Sequence, residues 1–261
     1  MTSDDSASFW DHLDVLRGVL LRILAVMAVL GVGAFIAMPW IFDNVIMAPC
    51  SADFPTYALF NRISELMGED GAGAFDVNIV SIELASQLMI HFSSACWVAL
   101  IAAFPIVIYL LWGFVSPALY PHERRGIRSA FLFGNLMFYL GVVTGYYLVF
   151  PLALRFLATY RLSDVIEPIV SLSSYMDNFF TLLLMMGALF ELPLVAWLLG
   201  KMGLLTRGFF KTYRRHAIVV LLIVAALITP TGDPFTLFLV FIPIYALWEG
   251  SARLVPADSE S

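Results

Sequence analysis

The sequence predicts an all-α integral membrane protein of six transmembrane helices, with both termini on the inner face and the last two spans short. Three observations carry this. The 261 residues are 61% hydrophobic and 13% charged, with a mean hydropathy of +0.89, whereas a soluble domain has about a quarter of its residues charged. Apolar runs near the roughly 20 residues that a bilayer core needs alternate with shorter polar segments. Of the 14 lysines and arginines, all but Arg62, Arg155 and Arg161 fall on the segments assigned to the inner side, the bias expected when basic loops stay in the cytoplasm. The resulting organisation is a cytoplasmic lead-in over 1–17, a membrane domain over 18–253 and a cytoplasmic tail over 254–261.

The elements follow in order. Asp4, Asp5, Asp11 and Asp14 precede the first apolar run. A secretory leader is basic there, so the first span is expected to stay in the mature protein. Ser8 followed by Asp11 fits a helix start. Phe9, Leu13, Leu16 and Leu20 repeat at helical spacing, which predicts an amphipathic lead-in on the membrane surface, closed by Arg17. Gly18–Met38 is the first span. Residues 39–87 form an acidic outer loop, with a short surface helix near Leu59–Met67 and a turn at Gly68–Gly73. Leu88–Val115 is the second span, with Pro105 inside it as a kink.

Residues 116–126 are a cytoplasmic elbow, because Pro117 and Pro121 stop the incoming helix. Ile127–Phe150 is the third span, ended by Pro151, and 151–175 is an outer loop. Phe179–Leu199 is the fourth span, interrupted by Glu191 and Pro193; 201–216 is a basic cytoplasmic loop. Ala217–Thr229 and Phe235–Trp248 each reach only about 20 Å as helix, against roughly 30 Å of hydrocarbon. They are either two short crossings, the preferred reading, or a re-entrant hairpin.

Several side chains stand out chemically. In the elbow, His122, Glu123, Arg124 and Arg125 sit at the water face. The arginines there set topology beside a solvated carboxylate, or Glu123 receives a basic ligand. Glu191 lies in an apolar run, where an ionised side chain costs on the order of 3 kcal/mol; it needs a polar cavity, a proton or a partner. Thr229 and Asp233 flank the last turn, with Asp233 placed to cap the final helix. Cys50 and Cys96 lie in a loop and a span, which argues against a disulfide, and the four histidines lack ligand spacing. No metal set, nucleotide loop or nucleophile–base signature is present. A proton-coupled small-solute transporter with Glu191 as carrier group is the alternative function class, although no mirrored halves are visible.

The chain resembles the TatC family, the multispanning core subunit of the twin-arginine protein translocase. The residues that carry the likeness are His12-Leu13 with Leu16-Arg17, Ala48-Pro49, Phe104-Pro105 with Trp112 and Phe114, and Pro117-Ala118-Leu119-Tyr120 running into His122-Glu123-Arg124-Arg125. Phe150-Pro151-Leu152, Phe190-Glu191 with Pro193, and Thr229-Pro230 with Asp233 and Phe235 complete it. The resemblance implies a receptor, not an enzyme, in the bacterial cytoplasmic (inner) membrane. It implies binding of twin-arginine signal peptides, chiefly at Glu123 with Arg17, Phe114, Arg124 and Arg125 nearby. It further implies assembly with single-span TatA/TatB-type subunits and with further copies of itself among membrane lipid, export of folded proteins driven by the proton gradient, no cofactor and no nucleic acid. The family's second glutamate, before the Leu-Arg pair, is replaced by Val15 here. Asp14, or Asp11 one turn back, is expected to supply that anion. Glu191 matches the family's intramembrane glutamate where partner helices dock, with Thr229, Asp233 and Pro49 in the same group. Leu237 stands where the family often has glutamine, and the first outer loop is longer than the family pattern.

Overall fold

The structure, a computed structural model, describes residues 3–66, 77–82, 84–115, 127–161, 163, 169–229 and 231–255. It divides into two compact units, Met1–Pro39 with His91–Asn135, and Trp40–Ile90 with Leu136–Ser261. Ten α-helices occur among the described residues: α1 (Ser3–Ile41), α2 (Pro55–Leu66), α3 (Ser86–Val115), α4 (Ile127–Thr144), α5 (Phe150–Thr159), α6 (Leu172–Leu189), α7 (Leu192–Lys201), α8 (Arg207–Thr212), α9 (Arg214–Ile228) and α10 (Pro234–Leu254). The membrane-protein class is as expected: five stretches are long and apolar enough to cross a bilayer.

Element boundaries differ from the sequence expectation in three places. The lead-in and first span are one unbroken helix that begins before Ser8, because nothing between Arg17 and Gly18 breaks a helix; a lone glycine costs only about 1 kcal/mol. Pro151 does not end the third span. A π-helical turn over Gly145–Val149 precedes it, and Pro151 then sits in the first turn of α5, where a missing N–H is tolerated. The final helix has 21 residues and reaches about 31 Å, since its hydrogen bonding continues past Trp248 into polar sequence. By contrast α9 has 15 residues, about 22 Å. Residues 116–126 lie outside the described residues.

In the first unit, α1 and α3 are joined at a proline. Pro39 has no N–H to give to the Phe35 carbonyl four residues back. His91 Nε2 lies 2.9 Å from that oxygen and supplies the missing donor. The His91 ring also stacks on Phe35, with centroids 4.0 Å apart. Ala95, Ala99 and Ala103 are buried along α3, and a Cβ on Gly31 would just touch Ala99. Small residues at i, i+4 and i+8 let membrane helices approach closely.

The second unit repeats the proline device twice and opens a third carbonyl beside it. Pro151 frees the Tyr147 carbonyl, and Thr56 Oγ1 donates to it. Pro49 frees the Val45 carbonyl, and Tyr146 OH donates to it at 2.9 Å. Cys50 N–H turns to Met47 O, so Ile46 O is also open, and Tyr175 OH fills it. Buried Tyr57 places its hydroxyl 2.9 Å from Pro49 O and 3.1 Å from Pro151 O. Arg155 of α5 lies 5.6 Å over both Tyr57 and Phe60 of α2, cation–π contacts that stabilise by about 0.5–1 kcal/mol each at exposed sites. A parallel two-residue pairing, Ile79 with Val170 and Val80 with Ser171, ties the two segments expected outside to each other.

Helices α4 and α6 meet through glycine. A Cβ on Gly141 would fall on the Met186 carbonyl, and one on Gly187 would lie 2.7 Å from the Phe138 ring. Gly141 and Gly145 form a Gly-x-x-x-Gly pair on the contact face. At the other end, α10 packs against α7, α8 and α9, with Phe210, Ala196 and Val255 buried together under Trp248.

His91→Leu leaves the Phe35 carbonyl without a donor and should lower thermal stability in detergent by about 1–3 kcal/mol. His91→Gln, whose amide reaches the same position, should recover most of it. Equal melting temperatures for wild type and His91→Leu would show that the bond carries no stability.

Candidate functional site

The candidate residues fall into two groups, one in each unit. In the first, Asp14 and Arg17 stand one turn apart on α1, and both are exposed. The one ion pair among the described residues is elsewhere, between Arg214 and Glu249, so none of them pairs with Asp14. Val15, in the place of the family's glutamate, is also exposed, at 55%. Glu123, Arg124 and Arg125 lie outside the described residues, as do the side chains of Asp11 and Phe114.

In the second unit the chain breaks in mid-span. Helix α6 ends at Leu189 and α7 starts at Leu192, with Phe190 and Glu191 forming the turn. Pro193 has no N–H for the Leu189 carbonyl, which disfavours continuation of α6 through this point. The Glu191 backbone is satisfied: its N–H donates to Ala188 O at 3.2 Å, and its carbonyl accepts from Val195 N–H at 3.0 Å. The side chain caps neither helix. Its Oε1 is buried with no hydrogen-bond partner. A carboxyl oxygen in that position lacks a donor that the described residues do not supply, and an incoming polar group would relieve the cost.

Thr229, Asp233 and Pro49 are occupied with their own backbone. Thr229 is buried, and its hydroxyl donates to Ala225 O at 3.0 Å. Asp233 caps α10 as expected: Oδ1 accepts from Thr236 N–H at 2.7 Å, and Oδ2 from the Thr231 hydroxyl at 2.5 Å. The turn between them needs Gly232 at φ +60°, which glycine adopts without steric cost. Partial burial pushes the Asp233 carboxyl up, but the Thr231 hydroxyl and Thr236 N–H favour the anion more, and the net position is below the ordinary aspartate value. Pro49 is buried, its carbonyl against the Tyr57 hydroxyl. Neither Cys50 nor Cys96 forms a disulfide, and no group of metal ligands occurs among the described residues.

Sequence reasoning missed the donors that serve the proline-freed carbonyls. The prolines themselves were a usable signal, since each announces an unpaired carbonyl four residues earlier. It also missed Gly141-x-x-x-Gly145, which is legible as a packing motif in an apolar run. A cluster at the foot of α10 was equally hidden: Arg214 donates to Glu249 at 2.6 Å, and Tyr245 OH donates to the same carboxylate at 2.8 Å.

The family model described as Sec-independent protein translocase protein (TatC) matches residues 11–243. A Sec-independent protein translocase protein TatC from Blattabacterium sp. subsp. Periplaneta americana is 31% identical, the match covering 93% of this chain and 92% of the relative. Another of the same description, from Deinococcus radiodurans, is 33% identical over 94% of this chain and 84% of its own length. A crystal structure of the twin arginine translocase receptor TatC in DDM superposes with a TM-score of 0.74 at 28% identity, covering 93% of this chain and 98% of that one.

Because the folded-state value of Asp233 is depressed, its capping contribution should be complete above the ordinary carboxylate range, near 4, and lost as pH falls through its lower native value. Asp233→Ala should cost about 1 kcal/mol at neutral pH. The gap between wild type and variant melting temperatures should close toward pH 2; a gap independent of pH would contradict the charge-assisted cap.

Proposed function

The chain belongs to the TatC family of Sec-independent protein translocase proteins, and on that basis we propose that it is the receptor that binds twin-arginine signal peptides at the cytoplasmic face. It is a multi-pass membrane protein and a transport component, not a catalyst. In this reading Glu123 is the chief contact and Asp14 the second anion, with Asp11, Arg17, Phe114, Arg124 and Arg125 around them. The membrane is the bacterial cytoplasmic membrane, with both termini inside, and the proton gradient drives export of folded cargo. The observation that carries the proposal is the extent of the family match. It runs over residues 11–243 and so includes the lead-in helix, the elbow and Glu191 together. The similar solved structure bears the name of a twin arginine translocase receptor.

The chemistry supports it. A guanidinium offers two parallel N–H donors to one carboxylate, a fork that lysine cannot reproduce. Two anions a short distance apart therefore select paired arginines over other cations. Asp14, exposed and without an ion pair among the described residues, suits that role. Two pairings within the second unit agree with the proposed sidedness. The expected outer segments meet at β1 (Ile79–Val80) and β2 (Val170–Ser171), and the expected inner ones meet at Arg214 and Glu249.

Glu191 is proposed as the docking point for a single-span TatA/TatB-type partner. A polar group on the partner helix would donate to the buried Oε1, which has no donor of its own. Thr229 and Asp233 would then act by shaping the turn beside the docking face, since their polar atoms are engaged within the chain.

Purified protein should bind a twin-arginine peptide, and Glu123→Ala should weaken that binding by roughly ten- to a hundredfold, as expected for lost hydrogen bonds to a charged group. A peptide with both arginines changed to lysine should lose as much. Equal affinity for the lysine peptide would overturn the recognition chemistry, and solute uptake into vesicles without peptide affinity would favour a small-solute transporter. Asp14→Lys and Asp11→Lys, tested side by side, identify the second anion by which one weakens binding.

Glu191→Ala should leave peptide affinity unchanged while reducing copurification of the single-span partner by about tenfold. Equal loss of both would argue against separate roles.

A further inference from the structure

The carboxyl end of α10 gathers three guanidinium groups from three helices of the second unit. Arg214, at the start of α9, donates to Glu249 Oε2 at 2.6 Å. Arg253 follows Glu249 by one turn of α10, on the same face, and its charge acts on that carboxylate. Arg207, at the start of α8, reaches the Arg253 carbonyl at 3.4 Å. All three arginines are exposed. Among the described residues Glu249 is the one carboxylate in an ion pair, and each of its oxygens already has a donor, Tyr245 OH holding Oε1 at 2.8 Å. Arg207 spends one of its five N–H donors on a long bond to a helix-end carbonyl. Arg253 makes no ion pair among the described residues. Three cations thus share a single anion.

Sidedness does not require this arrangement. A bias of basic loops depends on how many lysines and arginines flank a span, wherever they stand in the loop. Bringing the guanidinium groups of α8, α9 and α10 together costs repulsion that a further anion would relieve. The corner also stands where apolar helix ends. The sequence of α9 is apolar from Ala217, and that of α10 is apolar up to Trp248. Trp248 packs on Phe210 with ring centroids 4.7 Å apart, an aromatic of the kind that sits at headgroup level. The abundant anion at that level is the phosphodiester of an acidic phospholipid, and planar guanidinium forks match its paired oxygens.

We propose that the corner of α8, α9 and α10 binds the phosphate of an anionic phospholipid headgroup, with Arg207 and Arg253 as the principal donors and Arg214 shared between the headgroup and Glu249. The site rests neither on the receptor reading nor on which face of the membrane is inner.

Native mass spectrometry of the full chain in mild detergent, titrated with phosphatidylglycerol, phosphatidylcholine or inorganic phosphate, provides the test. Phosphatidylglycerol should bind about tenfold tighter than phosphatidylcholine. Arg207→Gln and Arg253→Gln should each weaken phosphatidylglycerol roughly fivefold and leave phosphatidylcholine unchanged. Glu249→Gln, which removes the competing carboxylate, should strengthen phosphatidylglycerol binding, a gain that a misfolded variant would not show. Equal affinity for the two lipids would overturn the proposal. An equal loss from Arg22→Gln on α1 would do the same, because net charge alone would then account for binding. So would displacement of bound phosphatidylglycerol by millimolar inorganic phosphate, which would make the ligand a soluble anion. Neutralising the tail with Asp258→Asn and Glu260→Gln should change the affinity less than either arginine substitution does; a larger rise would show that the chain's own tail occupies the corner.

Discussion

In hydrocarbon a backbone carbonyl without a donor has nowhere to turn, and this chain places prolines inside or beside its apolar helices. Each proline removes one N–H and strands one carbonyl four residues earlier. The architecture follows from how those carbonyls are met. His91 serves Phe35, Thr56 serves Tyr147, and Tyr146 serves Val45, with Tyr175 on Ile46 and Tyr57 between Pro49 and Pro151. Hydrophobic burial cannot hold helices together where lipid is as apolar as leucine. Directed hydrogen bonds and glycine-mediated close approach do so instead. The donors are rigid aromatic or β-branched side chains from another element, so each bond also fixes where that element lies.

The same logic sets Glu191 apart. Pro193 strands a carbonyl as the other prolines do, but here the neighbouring side chain is an acceptor, not a donor, and its Oε1 is buried unpaired. The break between α6 and α7 therefore leaves a buried carboxyl oxygen unmet, whereas the segments around Tyr57 and Tyr175 close their carbonyls internally. A self-satisfied region is suited to be scaffold, and a region short of donors is suited to be completed by another helix. The proposed peptide-binding group rests on the opposite arrangement: Asp14 is exposed on α1, where charge costs little until a guanidinium arrives.

Much of the fold was legible because it depends on local composition. The apolar runs located the long helices, the Glu191–Pro193 break was visible as a charge and a proline in one span, and the Asp233 cap follows from its place before Pro234. The errors were of one kind. Residues 1–17 were separated from the first span on polarity, although α1 runs through both, and Pro151 was read as a stop, although a π-helical turn absorbs it. Backbone hydrogen bonding ignores a change of side-chain polarity, and it can shift register around a proline. Phe235–Trp248 was judged by its apolar length, whereas α10 continues to Leu254.

Of the candidate site, Asp14 was singled out only through the resemblance to the TatC family, whose second glutamate Val15 replaces, whereas Glu123 in its elbow and Glu191 before a proline stood out from the order of the chain. Those follow from covalent sequence and from the cost of charge in lipid, which need no partner to be known. Which carbonyl each tyrosine would reach, and that Thr229 would spend its hydroxyl on Ala225, were decided only by folding. A hydrogen bond joins residues as far apart as Ile46 and Tyr175, and no local pattern specifies a pairing across that separation until the helices have taken their places.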